Sequence, residues 1–284
     1  MIGVIADDIS GAAEIAGVGL RLGLRAEVLL KGRPSGEADL VCVDTDSRNC
    51  TASEAARRAA AAAKLLRRAG AKWIYKKVDS VLRGQVAAEI QAVRRKFKLK
   101  SILLHPANPS LGRTIKDGKY FIHGRLIHQT EFARDPAHPR RTADVAKLLS
   151  RTPTFPIQVC KPGAPRAETG VIICESTSAR DVKSWVRKTH PEMLLAGGAE
   201  FFAALLAARL ASANQRVVPE TRARGSRAGR SRLTRPTAPA WNSSSAAPPA
   251  SPRNSLCAPH GATARQFFRC RANGRGARTS PARR

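Results

Sequence analysis

Short apolar runs recur along the first two-thirds of the chain, and helical patterns fill the spaces between them. The runs Ile2–Ala6, Ala26–Leu30, Leu40–Asp44, Trp73–Val78, Ser101–His105, Gly170–Cys174 and Met193–Ala196 have the length of strands. Between the first two, Gly11–Leu22 is a run of small and aliphatic residues suited to a helix packed closely on a sheet. Thr51–Ala69 opens on Thr51-x-x-Glu54, where hydroxyl and carboxylate can satisfy free backbone N–H groups, and stops before Gly70, a good residue for closing a helix. Val86–Phe97 follows a glycine. Arg180–Thr189 is preceded by Ser178-x-x-Asp181 and sets Val182, Trp185 and Val186 on one face. Glu200–Leu210 does the same with Phe202, Leu205, Leu206 and Leu210. Strands alternating with helices predict an α/β domain with a mainly parallel sheet flanked by helices, Rossmann-like in class.

Residues 106–165 break the alternation. They are rich in Pro, Gly, His and Arg. The spacing predicts loops that leave the sheet, a hairpin at Lys119–Ile127 and one short helix near Thr142–Ser150. No internal repeat is present.

Composition divides the chain. Of the 284 residues, those from 216 to 284 contain 15 Arg, no Lys and one carboxylate, Glu220; they carry +14 of the formal +29 and leave +15 to residues 1–215. This tail lacks Ile, Asp, Tyr and Met and is crowded with Pro, Ser, Gly and Ala. It has too little apolar surface to offset the entropy of ordering it, so it is expected to be disordered. The boundary is placed at 213/214.

Several classes are excluded by pattern. No apolar run approaches the ~20 residues of a membrane span. The opening run lacks a basic flank and reads as a strand, not a signal peptide. Six cysteines without a CxxC spacing read as reduced thiols in a cytoplasmic protein. Six histidines lack zinc-site spacing, so no metal site is expected. Neither a P-loop nor a GxGxxG is present. Gly197-Gly198-Ala199 could cradle an anion or simply make a tight turn.

Candidate chemistry gathers at strand ends, where open α/β sheets bind ligands. Asp7-Asp8-Ile9-Ser10-Gly11-Ala12 follows the first strand and opens a helix, whose dipole favours ionised carboxylates. These aspartates could orient a hydroxyl, hold magnesium through water or act as a base; they could also be an ordinary cap and its neighbour. Asp44-Thr45-Asp46-Ser47-Arg48 ends the third strand. Lys76-Lys77-Val78-Asp79-Ser80-Val81-Leu82-Arg83-Gly84 ends the fourth, where Lys77 and Asp79 would share a strand face and Arg83 could grip a carboxylate or phosphate. One such cluster fits a surface ion-pair network; three at three strand ends point to a site. Pro106–Thr114 and Gln129–Pro136 add two further polar loops.

Taken in order, these motifs resemble the N-terminal domain of the four-carbon acid sugar kinase family, long known as a domain of unknown function. The resemblance runs from Ile2 to about Leu210. It rests on IADDISGA at Ile5–Ala12, DTDSR at Asp44–Arg48, YKKVDSVLRG at Tyr75–Gly84, PANPSLGRT at Pro106–Thr114 and TEFARDP at Thr130–Pro136. Ser10 stands where relatives usually have Thr, and Gln85 where they have Asn. The resemblance implies a substrate-binding domain over residues 1–213 that holds a small sugar acid. It also implies ATP- and Mg2+-dependent phosphorylation of threonate, erythronate or a 3-oxo form in the full-length family. Asp8 or Asp79 would position or deprotonate the attacking hydroxyl. Asp7, Ser10, Arg48, Lys77, Ser80, Arg83 and Arg113 would bind substrate, with Arg83 a natural partner for its carboxylate.

The family's nucleotide-binding domain should follow the Gly197-Gly198 segment. Residues 214–284 do not resemble it, and their Arg, Pro, Ala and Gly excess is what an out-of-frame reading of a GC-rich gene yields. A frameshift near residue 214 is the expectation. A nucleotide-binding domain on a separate chain and a non-enzymatic sugar-acid-binding module or pseudokinase are the alternatives. The tail's arginines would bind nucleic acid only non-specifically, through phosphates.

Overall fold

In a computed structural model, which describes residues 1–150 and 155–215, the apolar runs assemble into one eight-stranded sheet. In chain order the strands are β1 (Ile2–Ala6), β2 (Ala26–Leu29), β3 (Leu40–Asp44), β4 (Trp73–Lys77) and β5 (Ser101–His105). A separate three-stranded antiparallel meander follows: β6 (Arg113–Lys116), β7 (Lys119–Ile122) and β8 (Arg125–Leu126). The large sheet resumes with β9 (Ile157–Cys160), β10 (Gly170–Cys174) and β11 (Met193–Gly197). Its order is β2-β3-β1-β4-β11-β5-β10-β9, and every neighbouring pair is parallel. All eight carboxyl ends therefore lie along one edge.

The helices are α1 (Ile9–Arg21), α2 (Ala52–Arg68), α3 (Val86–Phe97), α4 (Val145–Leu149), α5 (Ala179–Val186) and α6 (Ala199–Gln215). Strand side chains alternate between two cores. Ile5, Val41, Val43, Ile102, Leu104 and Ile173 face Ala59, Ala63 and Leu66 of α2 and Ile90 and Val93 of α3. Val4, Ala6, Cys42, Leu103, Ile172 and Leu195 face Ile15 of α1, Trp185 of α5 and Phe201, Phe202 and Leu206 of α6. Alanines dominate the buried stripe of α2, which brings that helix close to the sheet. Trp185 is buried without an orphaned donor, because its Nε1 donates to the Glu175 carbonyl at 2.8 Å.

The caps match their sequence signals. The Thr51 hydroxyl accepts from Glu54 N, and Ser178 with Asp181 forms a full reciprocal cap at α5. Gly197 ends β11 and Gly198 leads directly into α6. A Cβ on Gly197 would lie 2.2 Å from the His105 carbonyl oxygen, so only glycine lets β11 pass β5 here. The Gly198 amide is spent on that same carbonyl at 3.0 Å.

Three boundaries depart from expectation. β4 stops at Lys77, which places Asp79 in a turn beyond the strand rather than on a shared strand face. The hairpin gains a strand, β6, whose residues pair with β7. β9 is an unexpected strand, at the sheet edge and bounded by Pro156 and Pro162. The arginine-rich tail, and with it the 213/214 division, lies outside the described residues beyond Gln215. Cys42, Cys50, Cys160 and Cys174 are free thiols. Among the described residues no helix is long and apolar enough to cross a membrane.

Candidate functional site

At the carboxyl edge, β1 delivers two adjacent aspartates with different fates. Asp8 is extended and caps α1, its Oδ1 accepting from Gly11 N at 2.8 Å. Its side chain stays 24 % exposed, whereas Asp7 is 1 % exposed. Both converge on Arg48, brought in by the loop after β3: the Asp7 carbonyl accepts from Ser47 N at 2.9 Å. Arg48 Nε donates to Asp7 Oδ2 at 2.7 Å and Nη1 pairs with Asp8 Oδ2 at 2.8 Å, while Nη2 lies 3.8 Å from Asp79 Oδ2. Burial works against the Arg48 charge, but Asp7, Asp79 and Asp8 outweigh it and hold the guanidinium above its ordinary value. Asp7 Oδ1 is buried without a hydrogen-bond partner among the described residues.

The segment after β4 folds around Asp79. Its Oδ1 accepts from Val81 N, Arg83 N and Arg83 Nε, each at 3.1 Å, and its Oδ2 from Arg83 Nη2 at 2.8 Å. Burial pushes the Asp79 carboxyl up, but Arg83, with help from Arg48, holds it below the usual carboxylate range. The turn is strained: buried Leu82 adopts φ +60°, a left-handed conformation costing a branched residue about 1–2 kcal/mol. Gly84 follows at φ +81°, and a Cβ there would sit 3.2 Å from the Arg48 carbonyl. Asp79 and Arg83 thus lock a turn that seats Arg48.

The meander and the loop behind it close the far side. Arg113 Nη1 donates to Ser80 Oγ, and the Tyr120 hydroxyl donates to the Ser80 carbonyl. Arg83 Nη1 donates to Asp135 Oδ2 at 3.0 Å, and Asp135 Oδ1 is itself fixed by the amides of Ala137 and His138. The guanidinium carbons of Arg83 and Arg113 lie 5.8 and 6.0 Å from the Phe132 ring centroid. Beneath the site, fully buried Lys76 pairs with Glu89 at 3.3 Å. The Ser47 hydroxyl donates to Glu89, and Thr45 joins it at 2.7 Å.

The residues singled out in the sequence therefore meet. Asp7, Asp8, Arg48, Asp79, Ser80, Arg83 and Arg113 form one connected set. Lys77 stands beside it, nearly buried, with its Nζ 3.1 Å from Glu14 Oε2. Ser10 is exposed in the first turn of α1, and no hydrogen bond joins it to the set among the described residues. Glu14, Glu89 and Tyr120 were not singled out; Phe132 and Asp135 lie in the Gln129–Pro136 loop named from the sequence, but were given no role there.

The fit to ATP and Mg2+ is poor. Arg48 already supplies the cation that Asp7, Asp8 and Asp79 share. No three His, Cys, Asp or Glu side chains gather as a metal-ligand set among the described residues. The glycine pair before α6 spends the Gly198 amide on the His105 carbonyl.

The profile of the sugar-binding N-terminal domain matches residues 2–205. A D-threonate kinase of Salmonella typhimurium is 32 % identical over 195 residues, 63 % of this chain and 46 % of its own length. A 3-oxo-tetronate kinase of Methylobacterium radiotolerans is 30 % identical over 164 residues, 55 % of this chain and 39 % of its own. A crystal structure of a domain of unknown function from Bordetella bronchiseptica, a domain-swapped dimer with bound citrate, superposes with TM-score 0.65 at 28 % identity, covering 75 % of this chain and 56 % of that one. The chain spans about half the length of the curated relatives it matches or less.

Proposed function

Because the chain belongs to the family of sugar-binding N-terminal domains, we propose that its carboxyl-edge crevice binds a four-carbon sugar acid of the threonate, erythronate or 3-oxo-tetronate type. One observation carries this reading: carboxylates and guanidinium groups from three separate strand ends form one ion-pair set, and the Arg113 guanidinium of the meander joins it through Ser80 Oγ. Such a set recognises a ligand bearing both hydroxyls and a negative charge. The similarity to D-threonate and 3-oxo-tetronate kinases and the citrate in the Bordetella structure support the same ligand class.

In the whole kinase, the reaction is phosphoryl transfer from ATP with Mg2+ to a substrate hydroxyl. The nucleotide would come from a further domain or a separate chain, and residues 1–213 would serve as the substrate half. What these residues do is position and orient. Asp8 is the better candidate to hold or deprotonate the attacking hydroxyl. It is the accessible carboxylate, whereas Asp79 is buried and held by Arg83. Ser10 and Lys77 flank it as hydroxyl contacts, while Asp7, Arg48, Asp79 and Arg83 form the wall.

Calorimetric titration of the full chain with D-threonate and D-erythronate tests the reading. Saturable binding that Asp8→Asn weakens about tenfold is expected, and no binding of either acid refutes it. Reading the DNA beyond codon 214 in all three frames tests the division: a nucleotide-binding domain in another frame is expected, and none in any frame defeats the frameshift.

A further inference from the structure

The set of charges at this crevice is not uniformly anion-seeking. Of its cations, Arg48 is shared by Asp7, Asp8 and Asp79. Lys77 is paired with Glu14, and Arg83 with Asp79 and Asp135. A ligand carboxylate approaching any of these also approaches the carboxylates that neutralise them, and like charges repel. Arg113 differs. Its hydrogen-bond partner in the site is a neutral hydroxyl, Ser80 Oγ, and it meets no carboxylate among the described residues.

Resting on the sugar-acid reading above, we infer that Arg113 is the residue that anchors the ligand's carboxylate, and that Arg83 instead holds the wall together. Nη1 of Arg113 is committed to Ser80, which fixes the guanidinium plane and leaves its other N–H groups as a fork for two carboxylate oxygens. The Phe132 ring covers one side at 6.0 Å, a contact that favours the cation and shields it from water. Arg113 is half-buried, so it is accessible yet partly desolvated. The opposite end of the set, at Asp8, is rich in acceptors and suits hydroxyls. The ligand is thereby oriented, its acid end toward the meander and its hydroxyl end toward α1.

The test compares acids with uncharged polyols. The full chain is titrated with D-threonate and D-erythronate, and with threitol and erythritol. The native chain should prefer each acid by about tenfold or more. Arg113→Gln should reduce acid affinity to that of the polyol and leave polyol affinity unchanged. Arg113→Lys keeps the charge but not the fork and should recover part of the preference; it also serves if the Gln variant does not fold. Arg83→Gln, which loosens the wall, should lower the melting temperature and weaken acid and polyol alike, so that the folded protein keeps the ratio of acid to polyol affinity. A folded Arg113→Gln protein that still prefers acid, or a folded Arg83→Gln protein that has lost the preference, overturns the assignment alone. A native chain that binds neither acid overturns the sugar-acid reading and this assignment with it.

Discussion

Two buried titratable residues contribute to this protein's response to acid, in separate pH windows. His105 ends β5, fully buried, its ring stacked on Phe201 at 4.8 Å, and neither ring nitrogen has a hydrogen-bond partner among the described residues. Burial lowers its pKa to about 4. The unfolded chain protonates this ring below about 6.5 and the folded protein only near 4, so the unfolded state binds the extra proton between them. Stability therefore falls as pH drops from about 6.5 to about 4, by roughly 3 kcal/mol from this group. Urea midpoints at pH 7 and pH 4.5 should separate strongly for the native chain and much less for His105→Phe. Asp79 acts lower on the scale. Its depressed folded pKa gives stability that is full above the ordinary carboxylate value of about 4 and is lost as pH falls through the folded value. Asp79→Asn leaves Arg83 and Arg48 short of a carboxylate and should cost about 2–4 kcal/mol at pH 7, read from chemical denaturation.

At the scale of elements, the buried Lys76–Glu89 pair ties β4 to α3, and Ser47 extends the tie to the loop after β3. Lys76→Met strands the Glu89 charge in the core and should cost about 3–5 kcal/mol, while Lys76→Met with Glu89→Leu should recover most of it. Equal losses in the single and double variants would show that the pair does not act as a unit. Lys76, Ser47 and Glu89 also show where sequence reading stops. Strand–helix alternation and the polar clusters at strand ends were legible, because buried parallel strands are apolar runs and their ends are abrupt. Which cation meets which carboxylate was not, since Lys76 finds Glu89 thirteen residues on and Arg83 finds Asp135 across the fold. β9 was hidden because four residues between prolines carry no periodicity, and its place at the edge demands little of them. The turn at Leu82 was hidden because nothing in a leucine announces a left-handed backbone; Asp79 imposes it from outside.

Taken whole, the molecule presents its chemistry along one edge of a sheet buried on both faces. A ligand bound there stabilises only the folded form. D-threonate at about a hundred times its dissociation constant should add about 2.7 kcal/mol, seen as a higher melting temperature whose gain Arg113→Gln cuts to about half or less. A melting temperature unmoved by either acid at millimolar concentration would speak against the crevice as their site.

The strand order has a consequence for how the chain is made. Among the described residues β11 is the last strand in chain order, yet it lies between β4 and β5 in the middle of the sheet. Until Met193–Gly197 has left the ribosome, β4 and β5 each keep an open, apolar margin, and the nascent chain is two half-sheets exposed to self-association. The two half-sheets can join only once β11 is available, and a polypeptide released before Gly197 lacks its keystone.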